Sequence, residues 1–278
     1  VFAGSGTTTL AGSNTTTGAY TVNSGATFTI SDANGLGSGT LTNNGTVNVV
    51  SGLTSAVIQG LSGTNASAVL NLTNLGGQAV EVTLGDNNQS TTYAGSISGS
   101  GSIIKKGSGS ITLSGTSDLT GAITISTGTV RVSNSSGLGT TSGTTISSGA
   151  ALELIGGITI SRPLIINGSG DLSGGALRSI SGANTYSGDI TLASNGRINN
   201  DADTLLVSGA VNSTASTLTV GGAGDITISG AIGLGTGSLT KDGANKLSLT
   251  HSNTYANTTL TGGILSLGAS AAVPTGSG

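Results

Sequence analysis

The sequence predicts an all-β chain wound as a right-handed parallel β-helix of roughly 12 coils. Three observations carry that expectation. Aliphatic residues alternate with polar ones in short segments from end to end, without any surviving 3.6-residue period. Glycine, serine, threonine and asparagine make up more than half of the chain, while charged residues are only 7% and aromatics 2%. One stretch, KKGSGSITLSGTSDLTGAITISTGTVRV (105–132), recurs in inexact copies at 4–30 and 241–267.

Disorder is the usual reading of so much glycine and serine, but disordered chains are poor in hydrophobic residues and high in net charge. Here 35% of residues are hydrophobic and the net charge is −3. The alternating segments are read at 27–30, 46–50, 69–72, 80–84, 110–114, 123–126, 129–132 and 152–155. They continue at 158–161, 189–192, 204–207, 217–220, 225–229, 246–249 and 264–267. Strands this short and evenly spaced suit a sandwich, a barrel or a solenoid.

Repetition decides among the three. A β residue, two polar residues and a glycine lead into an alternating pair: Val22 to Gly25 leads to Phe28 and Ile30, and Ile125 to Gly128 leads to Val130 and Val132. Ile146 to Gly149 leads to Leu152 and Leu154, and Leu260 to Gly263 leads more loosely to Leu265 and Leu267. A period near 20 residues, with two or three strands per turn, is that of a parallel β-helix. At roughly 22 residues per coil the solenoid would run some 60 Å at the usual strand separation. Glycines 25, 128, 149 and 263 are therefore structural repeat positions at corners, where φ is often positive. Only Pro163 and Pro274 lack the ladder N–H, and Arg162-Pro163 reads as a corner.

The order SGSGSIIKKGSGSITLSG (98–115), then LTGAITISTGTVRV (119–132), resembles the autotransporter-associated β-strand repeat, also called the passenger-associated transport repeat. That family runs GSGSLTKxGxGTLTLSGxNTYTG and then TTIxxGTLxLG. Residues 235–267 match it again, with Asn253-Thr254-Tyr255 in the NTY place, and SGANTYSG (181–188) matches that portion alone. The connectors at 31–40, 133–144 and 268–278 are similar to the family's loop of small residues. The central copy has Ser117-Asp118-Leu119 in place of NTY, and the copy at 4–30 lacks the lysines. The resemblance implies a β-helical passenger region of a bacterial type V secreted protein, extracellular or at the cell surface, in which the repeats are scaffold. It does not imply catalysis.

No residue cluster calls for chemistry. The densest acidic group is Asp201 and Asp203, whose D-x-D spacing is a weak calcium candidate beside the plainer reading of a solvated turn. Asp32-Ala33-Asn34-Gly35 resembles the start of a calcium loop, but the connector accounts for it. His251, the sole histidine, is expected on a solvent-facing strand or turn. Lys105-Lys106 and Lys241 fall at matching places in two copies, which favours a structural role over a binding one. Tyr20, Tyr93, Tyr186 and Tyr255 travel with the motif, so they are read as repeated structural caps before sugar-stacking rings. No cofactor is expected.

Composition bounds the partners. A net charge of −3 without a basic stripe argues against nucleic acid. No apolar run approaches the roughly 20 residues of a membrane span. Without cysteine there is no disulfide framework. The chain opens at Val1 and reads as one continuous β-helix over 1–278, an excised piece of a longer protein or a unit that stacks. The leading expectation is a non-catalytic extracellular scaffold, a passenger stalk or adhesin. The alternatives are a self-assembling filament of copies stacked end to end and, more weakly, a carbohydrate-binding or polysaccharide-degrading β-helix. Its partners would be its own copies or the rest of the passenger, with host or matrix glycans as a further option.

Overall fold

The computed structural model describes residues 1–140 and 142–274. Threonine 141 and the last four residues of the connector at 268–278 lie outside the described residues. The chain is all-β, its parallel strands stacked as a β-solenoid of about 12 turns with almost no helix. Every named strand pair is parallel, as a coil that rises one strand spacing per turn requires. The chain forms two compact units, Val1–Ser142 and Gly143–Gly278.

In the first unit Thr7–Leu10, Thr27–Ile30, Thr46–Val49, Val69–Asn71 and Ser96–Ser98 form one ladder. Tyr20–Val22, Thr40–Asn43 and Gly60–Ser62 form a second. Ser55–Ile58, Glu81–Leu84, Ser102–Lys105 and Ile123–Ile125 follow one another in a third. Thr7 faces Thr27 and Ile103 faces Ile123, so the step is close to the period read from the sequence. In-register stacking builds columns of like side chains. Phe28, Val47, Leu70 and Ile97 make one such column, all buried. Each such side chain contributes roughly 1.5–3 kcal/mol by leaving water. Phe2 bridges to Val22, and its ring stacks 4.7 Å from Phe28 and 6.3 Å from Tyr20.

The second unit is built the same way. Ala151–Ile155, Leu177–Ser181, Ile190–Asn200, Leu218–Gly222, Leu239–Lys241 and Thr258–Leu260 succeed one another in register. Thr159–Ile160, Asn184–Tyr186, Thr204–Val207, Asp225–Ile228, Lys246–Leu249 and Ile264–Leu267 form a separate ladder. One coil is longer than its neighbours: Leu152 faces Leu177, whereas Leu177 faces Ile198. The surplus leaves the ladder at residues 169–175, where a single 3₁₀ turn, Asp171–Ser173, stands out from the coil.

Candidate functional site

The repeat places a lysine inside the solenoid. Ser102–Lys105 alternates as a half-buried strand should, with Ile103 and Lys105 inward. The register puts Lys105 in a column whose other members are Ile58, Leu84 and Ile125. Its four-carbon stem continues that aliphatic stack, and the residue is only 1% exposed. The ammonium emerges where the chain turns. It donates to the carbonyl oxygens of Lys106 (2.5 Å) and Gly107 (2.9 Å) and reaches Thr127, one coil on, at 3.4 Å. An ammonium has three donors and no acceptor, and three carbonyls meet it.

Lys241 repeats the arrangement in the second unit. It follows Leu152, Leu177, Ile198 and Val220 in its column and is fully buried. Its ammonium donates to the carbonyls of Asp242, Gly243 (3.1 Å) and, from the next coil, Gly262 (3.2 Å). Burial pushes the Lys105 ammonium down to about 8, against the pull of the Asp86 charge. Burial lowers Lys241 as well, opposed by Asp242 and Asp225 and assisted by Arg197. The paired lysines therefore divide: Lys105 is inside, while Lys106 is exposed.

Two of the four corner glycines belong to these cages. A Cβ on Gly128 (φ +66°) would lie 2.3 Å from the Gly107 oxygen and 3.0 Å from the Lys105 Nζ. On Gly263 (φ +70°) it would lie 2.3 Å from the Asn245 oxygen and 2.8 Å from the Lys241 Nζ. Gly25 and Gly149 also have positive φ, but a Cβ there would meet nothing within 4 Å.

Three of the four tyrosines sit inside the coils. Tyr93 and Tyr186 are fully buried, and Tyr255 nearly so. The Tyr186 hydroxyl donates to the Arg162 carbonyl at 2.8 Å, at the corner read from Arg162-Pro163. Tyr93 takes a hydrogen bond from Asn43 at 2.9 Å. Desolvation raises all three phenols above their ordinary value. Tyr20 is half-buried and shares a hydrogen bond with Thr16.

The asparagines of the NTY motif, two residues before Tyr186 and Tyr255, are buried, which the sequence does not disclose. The Asn184 side chain accepts from the N–H groups of Gly157 (3.0 Å) and Ile158 (2.9 Å). It donates to Ser181 O (2.9 Å) and Ser179 Oγ (3.0 Å). Asn253 accepts from Ile232 N–H at 2.8 Å and donates to Ala272 O at 2.7 Å. The motif's "N" and "Y" are thus both interior and both bond to neighbouring coils.

Several acidic residues are engaged by partners far off in sequence. Asp201 pairs with Arg178 through two contacts, at 2.6 and 2.9 Å, and accepts from Asn199 at 2.8 Å. The hydrogen bond from Arg178 to Asp201 raises the guanidinium above its ordinary value. Glu153, one coil back, lies 3.5 Å from the same guanidinium. Asp203 accepts the Gly182 N–H at 2.6 Å. Arg197 grips Asp242 at 2.6 and 3.0 Å, across the place a Gly221 side chain would fill. Among the described residues no three of His, Cys, Asp or Glu gather as metal ligands would. His251 is exposed, its Nδ1 2.8 Å from the Ser252 carbonyl. An open groove lined by Thr191, Leu192, Asn212, Ser213, Thr214 and Ser216 carries neither charge nor aromatic ring.

Together these features define a class, a parallel β-solenoid whose repeat carries its own interior polar fastenings. The family model of the passenger-associated-transport-repeat matches residues 3–30, 103–132, 179–199 and 239–267, and these four segments are copies of that repeat. Both caged lysines fall within matched segments. That repeat family implies an autotransporter passenger-associated β-helix and suggests a secreted or surface-exposed protein. No curated protein and no solved structure matches the chain significantly.

Proposed function

We propose that the chain is a non-catalytic scaffold, the stalk or adhesin portion of an autotransporter passenger displayed at the bacterial surface. One observation supports this above the rest. The polar groups that recur with the repeat, the lysine ammonium and the Asn–Tyr pair, are spent on backbone groups of adjacent coils. Side chains committed in that way hold coils together and have nothing left to offer a substrate. Two arginines fasten coils by ion pairs instead, Arg178 with Asp201 and Arg197 with Asp242.

The test is a fusion of the chain between an export signal and an outer-membrane β-barrel. The expected result is a folded chain reached by antibody on intact cells, with no sugar released from a polysaccharide panel. Retention inside the cell would sink the proposal. So would depolymerisation abolished by Asp201→Ala with Asp203→Ala.

A further inference from the structure

We propose that the Leu172–Ser173 bond is a proteolytic nick site, cut by an endoprotease with an apolar primary pocket, and that the nicked protein stays folded. In its ladders the solenoid protects its backbone. Strand N–H and C=O groups are bound to the coils on either side, and an endoprotease needs several free residues to lay along its cleft. The loop at 169–175 is different in kind, because its hydrogen bonds are local. Gly174 N–H bonds to Asp171 O (2.7 Å), Gly175 N–H to Ser169 O (2.9 Å), and Ser173 N–H to Gly170 O (3.4 Å). The ladder resumes with Ala176 N–H on Arg197 O.

At the tip Leu172 is 96% exposed, more than any other large apolar side chain among the described residues. No residue of the turn Asp171–Ser173 is buried, so opening it uncovers nothing. Leu172 (φ +47°) and Ser173 (φ +60°) both lie in the left-handed region, which L residues leave readily for the extended form a protease binds.

The neck of the loop explains why a cut would be silent. A Cβ on Gly170 would lie 2.2 Å from the Gly175 oxygen, so the two arms touch. On one side Leu164–Gly168 is paired with Ile190–Asn200. On the other Leu177–Ser181 is paired with Ala151–Ile155 and Ile190–Asn200. Hydrolysis adds water across one amide. The C–N bond breaks, a carboxylate is left on Leu172 and an ammonium on Ser173, and both new charges stand in solvent. Leu75 and Leu206, also exposed, are less open to attack. Leu75 holds a ladder bond to Val49, and Leu206 sits in a central strand. Exposed loop tips of small and polar residues are the usual places of nicking.

Limited digestion of the whole chain with chymotrypsin tests this. The first cut is expected after Leu172, roughly tenfold faster than any later one, as for a loop that opens without unfolding. The fragments 1–172 and 173–278 should co-elute in buffer and part only in denaturant. Leu172→Lys should transfer the first cut to trypsin at the same bond. A first cut elsewhere overturns the proposal, and so does a Leu172→Lys protein resistant to trypsin at this loop. Fragments that separate without denaturant overturn its second half.

Discussion

The copies at 103–132 and 179–199 solve one problem with opposite chemistry. In each, a polar side chain enters the interior at a corner and satisfies backbone groups of two coils. Lys105 brings only donors, so it serves carbonyls alone and keeps a charge away from water. Asn184 brings a donor and an acceptor, so it closes N–H and C=O groups together without charge. The lysine can therefore work only where the N–H groups are already bound and a glycine leaves room. The amide tolerates a less finished turn.

Three experiments break or sharpen this comparison. Gly128→Ala should be the most damaging, costing about 4 kcal/mol, because it adds a clash with the Gly107 oxygen to left-handed strain. Gly149→Ala, with open space around it, should cost only about 1 kcal/mol. Urea midpoints of the two variants give the difference directly, and equal losses would mean that the cage imposes no steric demand.

Next, Asn184→Ala strands the buried Ile158 N–H, removes the bonds to Gly157 and Ser181, and should cost about 3 kcal/mol. Lys105→Met keeps the aliphatic stem and removes the buried charge, so its cost should be about 1 kcal/mol. If thermal midpoints show methionine to be the worse change, the cage is the stronger fastening.

The smallest effect is that of pH. Lys105 has an ordinary value of 10.5 and is held at about 8 in the fold. Between those values the unfolded chain carries a proton that the folded one has lost. Stability then rises with pH, by about 1.4 kcal/mol per unit, and is flat below that window. The buried phenols act in the other sense, staying neutral in the fold while the unfolded chain ionises, so stability falls above about pH 10. Urea midpoints from pH 7 to 11 should rise and then fall. In Lys105→Met the rise should shrink, and an unchanged profile would remove Lys105 as its source.

Sequence legibility followed the number of aliphatic residues in each strand. Thr27–Ile30, Thr129–Val132, Thr204–Val207, Lys246–Leu249 and Ile264–Leu267 coincide with alternating segments read from the sequence. Strands with one inward apolar residue, such as Gly60–Ser62 and Val211–Asn212, give no period and were missed. The matching positions of Lys105 and Lys241 were legible, but their inward direction was not. A lysine is placed in a core only by a turn whose carbonyls come from two coils. Asn184 and Asn253 were hidden for a simpler reason, since asparagine is common at turns and its burial here depends on partners a coil away. Arg178–Asp201 and Arg197–Asp242 lie 23 and 45 residues apart, and no local pattern joins such pairs.

The cage has a consequence for inheritance. Because Lys105 reaches into the following coil, a duplication of a single coil would copy the lysine without the glycine that makes room for it. A segment that can be copied and still fold must run from the lysine strand past Gly128, which is more than one turn. The matched segments 103–132 and 239–267 have that extent, each containing a lysine and its own glycine. The unit that can multiply in such a gene is set by the reach of one side chain, and it is longer than the coil.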